Sequence, residues 1–326
     1  MHRTAQPATR TTGGNRLLAF LLPTEITRWV RAMAWLSLIV NIGIVGTGGL
    51  VRLTGSGMGC ETWPYCTADS LVPTPELGIH GLIEFGNRTL TGVLVVVAAL
   101  MFLSVLRLRP RRRDLVGISF AIGIGIIVQA VVGGITVWLH LHPAIVGFHF
   151  LVSAALVALA TVLVYRVYAA PGPRKPAVSR GYAILAHVTS AAVLITVIVG
   201  ILLTGSGPHA GDDEAARNGL DPILWQHIHA WPGYATFALT IALLIGALRT
   251  PRDLGLRGAV GLLLAVELIQ IAVGLWQART GLPIVLVNIH MVLAVTLVAA
   301  MTSVVLRLKR AENADRVVEA SVPVGS

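Results

Sequence analysis

Three histidines, His149 and His290 inside long apolar runs and His229 at the mouth of a third, lie where an imidazole must find its partner within the protein. Each follows closely on a residue that opens its run: His149 after Pro143, His229 after Asp221 and His290 after Pro283. At about 1.5 Å of rise per helical residue, all three lie roughly ten ångströms deep. Two neutral imidazoles at equal depth on neighbouring helices are what a six-coordinate haem requires, one axial nitrogen on each side of the iron. His229 and His290 form such a pair. A lone histidine in this setting more often bonds a carbonyl or hydroxyl across a helix interface; the repeated spacing described below favours haem over that reading.

A second constellation, His80, Glu84, Asn87 and Arg88, is spaced at four, three and one, which puts all four along one face of a helix. Glu84 stands where a carboxylate could exchange protons with a group bound beside His149. The plainer alternative is a Glu84–Arg88 ion pair that settles the helix end. His80 lies one turn earlier and could serve as an iron ligand only if the helix begins before it. Nearby, the segment TGSGMGCETWPYC holds the chain's two cysteines, Cys60 and Cys66. In an oxidising compartment a disulfide is the default; the spacing does not separate a structural bridge from a redox-active one. Arg52, just before this segment, suits a haem propionate, since guanidinium pairs with carboxylate, and suits equally an anchor at the membrane interface.

The elements that carry these residues follow from composition. Of 326 residues, 55% are hydrophobic and 12% charged, too apolar a balance for a solvated surface. Eight stretches, 32–51, 89–106, 115–138, 144–165, 182–204, 230–248, 258–276 and 284–306, are long enough to cross a bilayer. Basic residues cluster in alternate connections: Arg107, Arg109 and Arg111 to Arg113, then Arg166, Arg174, Lys175 and Arg180, then Arg249, Arg252 and Arg257, and finally Arg307, Lys309 and Arg310. Such bias marks the cytoplasmic side and places both termini there. The net charge of +10 is accounted for by these helix ends, which meet anionic lipid headgroups, and does not indicate nucleic acid. The expected organisation is all-α and integral to the membrane. A tail (1–30) precedes an N-terminal four-helix half (31–168); a linker (169–181), a C-terminal half (182–308) and a tail (309–326) follow. Glu267, within the seventh stretch, must find a partner or stay protonated. Trp63, Trp138, Trp225, Trp231 and Trp276 fall at the outer boundary, where indole is favoured without further function.

The two halves repeat one another. Gln129 precedes His149 by 20 residues, Gln270 precedes His290 by 20, and a glycine follows each Gln by four, at Gly133 and Gly274. TGSG recurs at Thr54–Gly57 and Thr204–Gly207. Four helices per half give a parallel duplication with a pseudo-two-fold axis along the membrane normal, and two four-helix containers for a flat cofactor. Aligning Ile83-EFGNR with Trp225-QHIHA sets Asn87 opposite His229, Glu84 opposite Gln226 and His80 opposite Pro222. The halves are therefore unequal: His229 and His290 close one site, while His149 has Asn87 where a second imidazole would stand.

Taken together, the eight helices, the TGSGMGC…WPYC loop, the IEFGNR segment and the three intramembrane histidines resemble the bacterial and mitochondrial haem A synthases, over about residues 30–308 and as an actinobacterial-like variant. The resemblance implies oxidation of a methyl group of haem O to the formyl group of haem A, for cytochrome oxidase, in the bacterial plasma membrane. It implies haem b held by His229 and His290, His149 as a ligand to the substrate haem, Glu84 as the essential acid of the first half, and Cys60 and Cys66 as the outer-loop pair. Haem O synthase and an electron acceptor are the implied partners, and a homo-oligomer is compatible with it. There are two departures from the family pattern. Many members carry histidine where this chain has Asn87, so the ligand opposite His149 stays open among Asn87, His80, water and none. Many also carry a second cysteine pair, absent here between Gly205 and Gln226. No flavin or dinucleotide fingerprint competes for the redox role. Two other readings predict different outcomes: a quinol- or ascorbate-linked cytochrome would hold two bis-His haems, and a parallel-repeat transporter would hold none.

Overall fold

In the computed structural model, which describes residues 18–249 and 254–312, the chain forms eight helices long and apolar enough to cross a membrane. They are α1 (Arg28–Leu53), α2 (Gly78–Leu106), α3 (Arg113–Trp138), α4 (Pro143–Tyr168), α5 (Arg180–Ser206), α6 (Pro222–Arg249), α7 (Leu254–Arg279) and α8 (Ile284–Leu306). Local chemistry sets their starts. Thr27 accepts the Val30 N–H to open α1, and Ser179 accepts the Tyr182 N–H to open α5. Pro143 and Pro222 occupy first-turn positions, where a missing N–H costs nothing, and Asp221 accepts the Ile223 N–H at 2.8 Å.

Helices α2 and α6 begin 11 and 8 residues before the apolar runs that start at 89 and 230. The reason is physical: hydropathy falls once His80, Glu84, Asn87 and Arg88, or Gln226, His227 and His229, enter the window. The backbone hydrogen bonds continue regardless. Both polar segments are helical and carry the candidate site. The expected tails lie outside the described residues over 1–17 and 313–326. Within the linker, Arg174–Pro176 (β1) pairs antiparallel with Lys309–Ala311 (β2), so the linker and the chain after α8 are joined.

Helices α1 to α4 touch in a ring, α1 with α2, α2 with α3, α3 with α4 and α4 with α1; α5 to α8 form the same ring. Between the rings, α4 meets α8, α1 meets α8 and α4 meets α5. The connections gather at two ends. At one, Arg112 donates to the Arg166 carbonyl at 2.6 Å and the guanidinium groups of Arg174 and Arg307 lie over the Tyr165 ring. At the other, the Gly57 N–H donates to the Gly211 carbonyl at 2.7 Å. A side chain at Gly57 would collide there with Leu141.

The packed core occupies the arginine-rich end of each ring. Met101, Leu115, Ile122, Val157 and Leu163 fill the first, and Leu243, Leu256, Leu263, Met301 and Val304 the second. Towards the opposite end of the second ring the packing stops. No residue of α6 before Thr236, of α7 after Glu267 or of α8 before Val295 is buried. His229 and His290 stand at this less closely packed end.

Candidate functional site

In the second ring the His229 and His290 imidazoles face one another with centroids 6.3 Å apart and planes inclined at 75°. An imidazole nitrogen lies about 1.1 Å from its ring centre and a metal–imidazole bond is about 2.0–2.1 Å, so two rings sharing one metal have centres roughly 6.3 Å apart. Each ring is seated on a glycine of a neighbouring helix. A Cβ at Gly200 (α5) would come within 2.9 Å of His229 Cε1, and one at Gly274 (α7) within 3.0 Å of His290 Cε1. Gly274 was marked by its place in the repeat. Gly200 was not; its signal would have been a small residue one helix before a buried histidine. Nδ1 of both rings is buried without a hydrogen-bond partner.

Two imidazoles alone do not make a site for a bare ion, and among the described residues no cluster of three His, Cys, Asp or Glu side chains could hold one. Two imidazoles do suit a metal that brings its own equatorial nitrogens. The ring separation, the glycine seats and the less packed helix ends fit a haem between α6 and α8.

The first ring is built differently. His149 stands on Gly133 of α3, where a Cβ would lie 3.4 Å from its Cε1, and its Nδ1 too is buried without a partner. Asn87 is engaged by α1: its Oδ1 accepts the Thr47 hydroxyl at 2.7 Å. His80 accepts or donates at Nδ1 with the Ser56 hydroxyl at 2.8 Å and lines an open cleft with Met58, Asp212 and Asp213. His80 is thus tied to the loop that follows α1. The helix does begin before it, at Gly78.

Over this ring lies the segment closed by the Cys60–Cys66 disulfide. Glu84 is buried and both of its oxygens are committed: Oε2 accepts the Cys60 N–H at 2.7 Å, and Oε1 accepts Arg88 Nη2 at 2.5 Å. Arg88 continues into the same segment, donating to the carbonyls of Thr62 at 2.9 Å and Tyr65 at 3.0 Å. The ion pair anticipated as the plainer alternative is therefore present, but it does more than settle a helix end, because it fastens α2 to the disulfide segment. The other fastening is Trp63, whose indole lies on Gly134 of α3 and packs edge-on against Trp138 with centroids 5.5 Å apart. Adjacent glycines of α3 serve two purposes: Gly133 seats His149 and Gly134 seats Trp63. A residue read as an ordinary interfacial tryptophan is part of the cover over the first ring.

Arg52, at the end of α1, donates to the His209 carbonyl at 2.8 Å and the Thr204 carbonyl at 3.0 Å. It joins the first TGSG turn to the second. Glu267 is buried; its Oε1 accepts the Thr240 hydroxyl of α6 at 3.1 Å, and its Oε2 has no hydrogen-bond partner among the described residues.

Comparison with known proteins bears on the whole constellation. The family model described as cytochrome oxidase assembly protein, COX15-CtaA, matches residues 31–302. A protein named heme A synthase from Alkalihalophilus pseudofirmus is 32% identical over 154 residues, 45% of this chain and 50% of the relative. Proteins of the same name from Bacillus mycoides and Bacillus cereus are each 28% identical over 144 residues, 42% of this chain and 46% of theirs. The chain thus spans about half the length of the curated relatives it matches.

Proposed function

The chain belongs to the cytochrome oxidase assembly protein family COX15-CtaA, and within it we propose that the protein is a haem A synthase, oxidising a methyl group of haem O to a formyl group. The single observation that carries this reading is the inequality of two similar rings: one with two opposed imidazoles, the other with one imidazole, a committed carboxylate and a cover.

His229 and His290 would hold a resident haem b in the second ring, and that haem would supply one-electron redox chemistry no amino acid side chain offers. The protein's contribution is to seat both rings on glycine, to exclude other ligands and to keep the separation fixed. In the first ring His149 binds the iron of the substrate haem O. Asn87, held by Thr47, presents no imidazole on the facing helix, which leaves that side of the iron open and lets substrate enter and product leave. Arg52 stands at the end of α1 and Arg88 at the close of the polar opening segment of α2, both placed to meet the propionates of a haem. Both already serve backbone carbonyls, so each would share its guanidinium, which has five N–H donors to divide.

Glu84 is the catalytic acid of this proposal. Converting a methyl group to a formyl group with an oxygen atom drawn from water releases protons along with electrons, and a carboxylate at the rim of the site can take up the protons. Arg88 and the Cys60 N–H hold it in one orientation beside the substrate. The Cys60–Cys66 disulfide keeps the segment that orients Glu84 closed over the site; a haem b held by His229 and His290 would supply the one-electron chemistry, with an acceptor outside the chain. The substrate comes from an enzyme that makes haem O.

The ring contacts support a pseudo-two-fold arrangement: exchanging halves turns the α1–α8 contact into α5–α4 and α4–α8 into itself. The arginine-rich end is then cytoplasmic, with both termini, and the haem sites lie towards the outer face of the cell membrane.

The test is expression in a host that makes haem O but not haem A, followed by extraction and chromatography of the haems. Haem A should form with the wild-type chain, and haem O alone should remain with Glu84→Ala, which still binds haem. Haem A output from Glu84→Ala equal to wild type would remove Glu84 from the mechanism.

A further inference from the structure

The repeat carries one more pair that the catalytic reading does not use. Gln129 on α3 donates through Nε2 to the main-chain carbonyl of His149 on α4, at 3.0 Å. Gln270 on α7 donates through Nε2 to the main-chain carbonyl of His290 on α8, at 3.2 Å. A carbonyl within a helix already accepts one backbone N–H and has a second lone pair to offer. Gln270 reaches that second lone pair and Gln129 shares it with the Ser153 hydroxyl, in each case on the residue that bears the imidazole.

We propose that Gln129 and Gln270 are positioning residues, each clamping a histidine-bearing helix to its predecessor and so fixing the depth and rotation at which His149 and His290 meet a haem. The reasoning is that apolar helices in lipid gain little from burying one another, so sliding or rotation between them is opposed mainly by close packing and by interhelical hydrogen bonds. Glycine seats set how near the imidazole lies, as at Gly133 and Gly274, but glycine is smooth and does not resist rotation. One directional bond to the histidine's own carbonyl does. It fixes the residue that bears the ligand.

The two clamps differ in one respect. Gln129 also contacts the Ser153 hydroxyl, which in turn donates to the His149 carbonyl at 3.1 Å. At the matching position of α8 stands Ala294, and the Gln270 amide lies instead 3.2 Å from His290 Nε2. The first clamp is thus closed through a hydroxyl and holds clear of the ring. The second touches the ring nitrogen, which a resident haem must take over from the amide.

This inference rests on the haem reading, and its test separates the two. Gln270→Met keeps the side-chain length and volume and removes the donor. In purified protein it should convert part of the low-spin bis-imidazole spectrum to high-spin and speed haem loss to apomyoglobin about five-fold, the effect of one net hydrogen bond. Gln129→Met should leave that spectrum as in wild type. An unchanged spectrum in Gln270→Met, or an equal change in Gln129→Met, overturns the proposal. A pair of spin labels at the outer ends of α7 and α8 reads the clamp without haem: their distance distribution should broaden in Gln270→Met, and an unbroadened one overturns the clamp. Wild-type protein carrying no haem would instead overturn the haem reading, with broadening still supporting the clamp.

Discussion

Replacing Gly200 with alanine is expected to loosen the second-ring haem without unfolding the protein. The added Cβ would lie 2.9 Å from His229 Cε1, whereas carbon atoms rest about 3.5–4.0 Å apart. The ring must therefore retreat by roughly 0.6 Å or more, and metal–ligand distances hold within about 0.2 Å. The fold tolerates the change better than the ligand does. Overpacking costs about 1–3 kcal/mol, offset by up to about 1 kcal/mol because alanine favours a helix interior over glycine. The assay is the low-spin haem fraction by visible and electron paramagnetic resonance spectroscopy, beside a thermal melt. Gly274→Ala, with 3.0 Å to His290 Cε1, should act in the same direction and slightly less. Gly261→Ala, in the same helix with no atom within 4 Å, should leave the spectrum intact and the melt equal or higher. A full low-spin spectrum in Gly200→Ala, or equal damage in Gly261→Ala, would refute the reasoning.

Arg88→Ala should destabilise the protein by about 2 kcal/mol or more, since it leaves a buried carboxylate without its cation, and should abolish haem A output. Adding Glu84→Gln should recover stability, read by denaturation, but not product; recovered product would make Glu84 structural only. Gly134→Leu should drive Trp63 off α3, measured as increased quenching of tryptophan emission by an aqueous quencher, with the second-ring haem spectrum unchanged. Arg52→Gln, which orphans the carbonyls of Thr204 and His209, should lower the melting temperature by an amount matching about 1–3 kcal/mol while His229 and His290 keep their haem.

The helices were legible because apolar runs and arginine clusters are local and additive along the chain. Their polar beginnings were less so: the first turns of α2 and α6 are helical through backbone bonds that hydropathy does not register. The histidine pair was legible because a repeat compares the chain with itself, and matched landmarks such as Gln129 and Gln270 are independent of any particular fold. What escaped are contacts between side chains and distant main-chain atoms. Arg88 reaches the carbonyls of Thr62 and Tyr65, and Arg52 those of Thr204 and His209. A carbonyl has no letter in a sequence, so nothing there marks it as a partner. Trp63 escaped for a related reason, because its seat is Gly134, where the signal is a missing side chain. The pairing of β1 with β2 joins two polar segments that composition alone assigns to linker and tail.

The inequality of the two rings is tested most directly by low-spin haem spectra of three purified variants, His149→Ala, His229→Ala and His290→Ala. Loss of either His229 or His290 should abolish the bis-imidazole signal, and loss of His149 should leave it at wild-type intensity. Equal effects in all three variants, or a signal that survives without His229 or His290, would contradict a closed site in the second ring beside an open one in the first.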